Sequence, residues 1–202
     1  MLPYDTWGQV LFVFIISVLR YVIIGGAAFL FFYVLLKHRS LFAKIQKKWP
    51  ARSDYYREIF YSFLTFIFFA ATPLVLNNPH IKPYTSIYRD IQERSMLYFW
   101  LVFPVMLIVH DTYFYWAHRI MHHPKLFSFF HKVHHKSTNP SPWASFSFQP
   151  AEAFIESGII YVFAFTFSVH IIHILAFLVF MTLYNVYGHL GFEIFPRGFN
   201  RY

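Results

Sequence analysis

The chain alternates between long apolar runs and shorter polar, basic connections. Four apolar runs stand out, at 9–36, 59–76, 96–109 and 154–187. A helix crossing the hydrocarbon core of a bilayer needs roughly 20 apolar residues. The first run is ample and is interrupted only by Arg20, whereas the second is short but nearly unbroken. The third is too short alone, but the aromatic segment DTYFYWAH that follows can extend the same helix. The fourth would be roughly 50 Å long as a single helix at about 1.5 Å per residue. That exceeds a core of about 30 Å, so two helices broken near residues 168–170 are expected. The pattern predicts an all-α integral membrane helical bundle, with a histidine-rich helical cap outside the bilayer.

Composition strengthens that reading. The chain is 57% hydrophobic and 24% aromatic but only 13% charged, against about 25% charged residues in an ordinary soluble domain. Such hydrophobicity excludes intrinsic disorder. The absence of cysteine excludes disulfide frameworks, thiol redox chemistry and cysteine-ligated metal sites. No basic residue precedes the first apolar run, so no cleavable signal peptide is expected.

A net charge of +8 would suggest a nucleic-acid partner in a soluble protein. Here the distribution of charge points to membrane topology instead, and no nucleic acid is expected. Lys37, Arg39, Lys44, Lys47, Lys48, Arg52 and Arg57 fall between the first two runs. Arg119, Lys125, Lys132 and Lys136 follow the third, and Arg197 and Arg201 follow the fourth. Cytoplasmic loops accumulate Lys and Arg. The N-terminus is therefore expected outside, with 37–58, 118–150 and the C-terminal tail in the cytoplasm.

Seven of the twelve histidines lie between positions 110 and 135. On a helix His118 and His122 share a face, and His131, His134 and His135 repeat that arrangement at i, i+3 and i+4. Two such faces joined by the turn HPKLF are placed to converge on one metal centre. An isolated histidine would read as an interfacial residue; five at ligand spacing do not. The string HRIMH carries Arg119 where a zinc peptidase of the H-E-x-x-H type has its glutamate base. Asp111 is the only acid between Arg94 and Glu152, which argues against a locally carboxylate-bridged site and against that hydrolase. Many imidazoles with few carboxylates suit iron, copper or zinc, and their number favours two metals.

The segment HDTYFYWAHRIMHHPKLFSFFHKVHH resembles the first two histidine boxes of the fatty acid hydroxylase / sterol desaturase superfamily of membrane di-iron oxygenases. Asp111, Tyr115, His118, Arg119, His122, His131, His134 and His135 match its pattern. In the following block Gln149 stands where the family has a histidine, with Pro150 and Glu152 in place, and YNVYGHLGFE matches the segment in which His189 joins the centre. The resemblance runs from residue 96 to 202 and divides the chain into an N-terminal transmembrane region, 1–95, with a basic loop, and a family-like domain, 96–202. The third histidine box of the family is not found in these residues, so the chain is expected to be truncated at its C-terminus and, alone, to hold metal weakly.

The resemblance implies a non-haem di-iron centre held by His118, His122, His131, His134, His135 and His189. It implies O2-dependent hydroxylation or desaturation of a lipid of the sterol, fatty acyl or alkylglycerol type in lipid biosynthesis. Electrons would come from NAD(P)H through a cytochrome b5- or ferredoxin-type donor, on the cytoplasmic face of a bacterial inner membrane or the endoplasmic reticulum. Asp111, two turns before His118, is a candidate to orient a ligand imidazole, and Tyr115 is either a hydrogen-bonding neighbour of the ligands or an interfacial aromatic. His170 and His173 read as interfacial residues at a hairpin tip, and Arg20 has no evident role. The alternative is a non-catalytic membrane metal-binding or transport protein. Histidines clustered at the end of a span, rather than along a path through it, favour the enzyme.

Overall fold

A computed structural model describes residues 5–37 and 43–195. Arg39, Arg197 and Arg201, which entered the orientation argument, lie outside the described residues. The main helices are α1 (Thr6–Leu35), α2 (Arg52–Leu76), α3 (Met96–Met121), α4 (Pro124–Phe130), α5 (Pro150–Thr166) and α6 (Ile171–Gly188). Helices α1, α2, α3 and α6 are each long and apolar enough to cross a membrane. The fourth apolar run does divide into two helices.

Local signals account for the helix boundaries. Asp5 caps α1 by accepting from the Gly8 amide at 2.7 Å, and Ser95 caps α3 by accepting from the Tyr98 amide at 3.2 Å. Pro124 opens α4, where its missing N–H costs nothing. Within α1 the backbone widens into π turns at Tyr21–Gly25 and Leu30–Leu35. The first of these brings Gly25 against Trp143 and the Pro142 carbonyl, where an added Cβ would sit at 3.7 Å.

Four two-residue strands tie the two ends of the bundle: β1 (Ala43–Lys44), β2 (Ile87–Tyr88), β3 (Val169–His170) and β4 (Phe192–Glu193). At one end β1 pairs antiparallel with β4, Ala43 opposite Glu193. Here Lys44 Nζ donates to Asn139 Oδ1 at 3.1 Å, and the Asn139 amide donates to the Lys48 carbonyl at 2.8 Å. At the other end β2 pairs parallel with β3, and Tyr98 donates to the Ser168 carbonyl at 2.9 Å. The described parts of the basic segments thus share one end of the bundle.

The core between α3, α5 and α6 is built from Val102, Met106, Ile159, Phe163 and Phe177. Gly158 is required there, because a Cβ at this position would collide with the Tyr113 hydroxyl. A second core of Tyr21, Phe66, Phe146 and Phe148 underlies an unusual feature, a buried connection between α4 and α5. Ser141, Ser145 and Ser147 in it are fully buried. A buried loop must find partners for its polar groups, and α1 and α2 supply several. Tyr21 donates to the Trp143 carbonyl at 2.8 Å, Tyr33 to the Pro140 carbonyl at 3.0 Å, and Ser62 also to the Trp143 carbonyl, at 3.1 Å. Ser141 donates to Glu58 at 2.5 Å. This explains why α2 buries Glu58 and Ser62, whereas the buried Thr65 donates to the Tyr61 carbonyl of its own helix.

Candidate metal centre

The histidine centre forms where the C-terminal end of α3, the start of α5 and the C-terminal end of α6 meet. His118 lies in the last turn of α3, and His122 caps its end. The second histidine triad departs from the expected single helical face. Helix α4 stops at Phe130, His131 caps it with φ −129°, and His134–Lys136 form a separate 3-10 turn. The consequence is that His134 and His135 diverge. His135 joins His118, His122 and His131, whereas His134 turns to His189 at the end of α6.

In the group of four, one ring nitrogen from each of His118, His122, His131 and His135 lies within 4.8 Å of the others. His118 Nε2 is 3.0 Å from His122 Nε2, which is 3.2 Å from His135 Nε2. Hydrogen bonds alone do not explain this packing, since a neutral imidazole carries only one N–H. Metal coordination does: bonds of about 2.1 Å place neighbouring ligand nitrogens about 3.0 to 3.4 Å apart. His131 Nε2 is buried without a hydrogen-bond partner, and its ring centroid is 4.5 to 4.9 Å from those of the other three. The second pair, His134 and His189, sets its Nε2 atoms 3.4 Å apart. The His131 and His134 rings stack at 5.3 Å and join the two groups.

Neighbouring groups orient two of the six rings. His189 Nδ1 donates to the Asn185 carbonyl at 2.7 Å, which leaves Nε2 as a bare lone pair aimed at His134. His131 Nδ1 faces buried Glu152 Oε1 at 2.6 Å; donation to the carboxylate likewise leaves its Nε2 free for a cation. Burial lowers the pKa of His131 and so favours the neutral ring, and the same burial raises that of its partner Glu152. Burial, reinforced by the neighbouring His189, lowers His134 to about 3. Neutral imidazoles are the form that ligates a metal.

Glu152 is the residue that counting acids between the boxes passed over. It comes from the first turn of α5, across the buried connection, and its signal in the sequence was an acid just after Gln149-Pro150 at the head of an apolar run. Gln149 does not join the imidazoles. Its side-chain amide donates to the Phe129 and Ser128 carbonyls, and its backbone N–H donates to Glu152 at 3.4 Å, so it fixes α5 against α4. Asp111 is exposed and makes no hydrogen bond to an imidazole, although it lines the same cavity as His118. Tyr115 is 52% exposed, and its hydroxyl accepts from Arg119 at 2.6 Å, away from the rings. His123 caps α4 instead of entering either group.

His170 and His173 are buried at the far end, not interfacial as their position suggested. Arg20 crosses from α1 to α6, donating to the Leu178 carbonyl and to Thr182 Oγ1, the latter at 2.8 Å. It acts as a clamp between two helices.

The profile of the fatty acid hydroxylase family matches residues 103–202, the stretch that contains all six converging imidazoles. Over these residues the chain belongs to the fatty acid hydroxylase family. Its relatives include the Delta(7)-sterol 5(6)-desaturase of Gibberella zeae, 28% identical over 150 residues, covering 72% of this chain and 43% of the relative. That of Schizosaccharomyces pombe is 34% identical over 87 residues, covering 43% of this chain and 29% of the relative. Human lathosterol oxidase is 28% identical over 159 residues, covering 77% of this chain and 53% of the relative. The chain thus spans about half or less of the length of these curated relatives. No solved structure matches it. In this family member the donor set, imidazole-rich and with one orienting carboxylate, fits the paired iron that the resemblance implies.

Proposed function

We propose that the protein is a membrane di-iron oxidoreductase of lipid biosynthesis that desaturates a sterol, with introduction of a 5(6) double bond into a Delta(7)-sterol as the specific reaction. The observation that carries this reading is the position of the six imidazoles. His118, His131, His134 and His189 line a cavity of about 330 Å3 that continues toward the bundle interior along Leu107, Phe114, Phe148 and Phe180. A transport protein would place its ionisable groups along a path through the bilayer; here they gather at one end, at the mouth of an apolar pocket. The names of the relatives supply the substrate class.

In this reading His118, His122, His131 and His135 hold one iron, and His134 and His189 contribute to the second. When bound, the iron pair supplies O2 activation and oxidation of an unactivated C–H bond. The chain's own residues do the rest. Glu152 and the Asn185 carbonyl hold His131 and His189 in the ligating tautomer. The aromatic wall orients the hydrocarbon and excludes water. Residues 96–202 carry the chemistry, and 1–95 brace the buried connection. Arg119, Lys125, Lys132 and Lys136 are exposed around the centre and attract an acidic electron donor of the cytochrome b5 or ferredoxin type. The basic end, with the histidines, then faces the cytoplasm.

The test is metal and product analysis of the full chain as its gene encodes it, purified in mild detergent. Two irons per chain and O2-dependent conversion of a Delta(7)-sterol are expected; zinc alone would sink the reading. Cysteines introduced at Ser137 and Ser86 report sidedness. An impermeant outside label should modify Ser86→Cys and spare Ser137→Cys, and the reverse would remove the cytoplasmic donor.

A further inference from the structure

Beneath the imidazole cavity lies a second, smaller chamber of about 120 Å3, walled by Phe69, Phe146, Ile159, Ile174 and Phe177. The two cavities share His110, Phe148, Glu156, Met181 and Asn185 and are therefore adjoining. Three of the shared residues are polar, and they come from three different helices. Among the described residues, the side chains of His110, Glu156 and Asn185 have no hydrogen-bond partner. The His110 ring packs against those of Phe114 and Phe177. Polar groups set among apolar walls ordinarily find partners within the protein. Three that open together onto one cavity form a collar ready for a partner that is not protein.

We infer that the collar of His110, Glu156 and Asn185 binds the hydroxyl of a sterol substrate, whose hydrocarbon body extends along the apolar walls of the two adjoining cavities. The inference rests on the sterol reading above and adds which residues recognise the substrate. A sterol carries its hydroxyl at C3, and the 5(6) bond begins two ring carbons away. Whatever holds that oxygen must therefore sit beside the oxidising centre, not at the far end of the pocket. The collar meets this requirement, because its members line the same cavity as His118, His131, His134 and His189. Arg20, the basic group that lines the lower chamber, does not. Its partner Thr182 lies seven residues before His189, about 10 Å along α6 at ~1.5 Å per residue. Its guanidinium is moreover engaged by Leu178, Thr182 and Ser17. The composition of the collar also suits a hydroxyl, which both donates and accepts: Glu156 accepts, and Asn185 and His110 can do either. A site built this way discriminates strongly against an analogue lacking the group, because its own polar atoms are then left unpaired.

The test compares equilibrium binding of Δ7-cholestenol and its 3-deoxy analogue to the full chain in detergent micelles, with iron content as the folding control. The wild type should bind the hydroxylated sterol at least about tenfold more tightly, the scale of one well-made hydrogen bond. Asn185→Leu and Glu156→Met should each erode that preference while iron is retained, and Arg20→Gln should leave it intact. If Asn185→Leu loses its iron, the similarly sized Glu156→Met, which removes the acceptor, decides. Equal binding of the two sterols by the wild type overturns the collar, as does unchanged preference in iron-replete Glu156→Met or loss of preference in Arg20→Gln alone. Each of these leaves sterol turnover, and so the proposed function, standing. A wild type that holds iron but neither binds nor converts Δ7-cholestenol overturns the sterol reading itself and this inference with it.

Discussion

The bundle carries histidines at both ends, and the two groups show what separates a ligand from a structural residue. At the far end His170 and His173 sit three apart, the same spacing as His131 and His134. His170 Nδ1 accepts from the Ile172 amide at 3.1 Å, and its Nε2 donates to the Arg89 carbonyl at 2.8 Å. His173 Nδ1 accepts from the His170 amide at 3.1 Å, while its ring lies on Phe99 at 4.4 Å. Each Nδ1 accepts, so each Nε2 carries the proton, and no lone pair remains for a cation. At the near end the tautomer is reversed. His189 Nδ1 donates to a carbonyl, His131 Nδ1 faces a carboxylate, and the Nε2 atoms converge. Sequence spacing is the same at both ends. What Nδ1 does in these four rings, accepting an amide in two and facing an acceptor in the other two, makes the difference.

The sharpest way to break this comparison is to delete one histidine from each end. His131→Ala should abolish turnover and remove at least one iron per chain, since no neighbouring group can replace a buried ligand held from two sides. His173→Ala should leave iron content unchanged. Metal analysis of the two purified variants decides; full iron in His131→Ala would mean that the convergence of Nε2 atoms is not a ligand set.

A smaller effect probes the tautomer itself. Glu152→Gln keeps an acceptor oxygen near His131 Nδ1 but removes its charge, and Glu152→Ala removes both. Loss of a partner that orients a ligand imidazole typically weakens metal binding about 10- to 100-fold. Chelator competition should place Glu152→Gln nearer the low end of that range and Glu152→Ala nearer the high end. Equal affinity for wild type and Glu152→Ala would show that packing alone orients His131.

These residues also mark where the sequence was legible. The helices followed from apolar run lengths, and the break at Val169–His170 followed from a run too long for one crossing. The convergence of His118 with His122 followed from one helical turn. The second triad resisted because the i, i+3, i+4 spacing presumes a continuous helix, whereas α4 ends at Phe130 and a 3-10 turn parts His134 from His135. Glu152 resisted for a different reason. Its contact with His131 spans 21 residues and depends on the buried connection packing under α1 and α2, which no local pattern announces. His170 and His173 misled because interfacial position and burial as a helix cap look alike in a string of residues.

The smallest expected effect lies at the far end. His170 is the N-cap of α6, and its ring ties that helix to the segment before α3 through the Arg89 carbonyl. His170→Ala removes both contacts and should destabilise the protein by about 0.5–2 kcal/mol, the usual range for a lost cap, with iron unchanged. His170→Asn retains a side chain able to accept from the Ile172 amide but is too short to reach Arg89, so thermal unfolding should place it between wild type and His170→Ala. A stability loss with iron retained is the signature of a ring whose two nitrogens both serve the backbone. If His170→Ala instead lost iron while its unfolding temperature held, the histidines at the far end would belong to the metal chemistry, and the distinction drawn from their tautomers would fail.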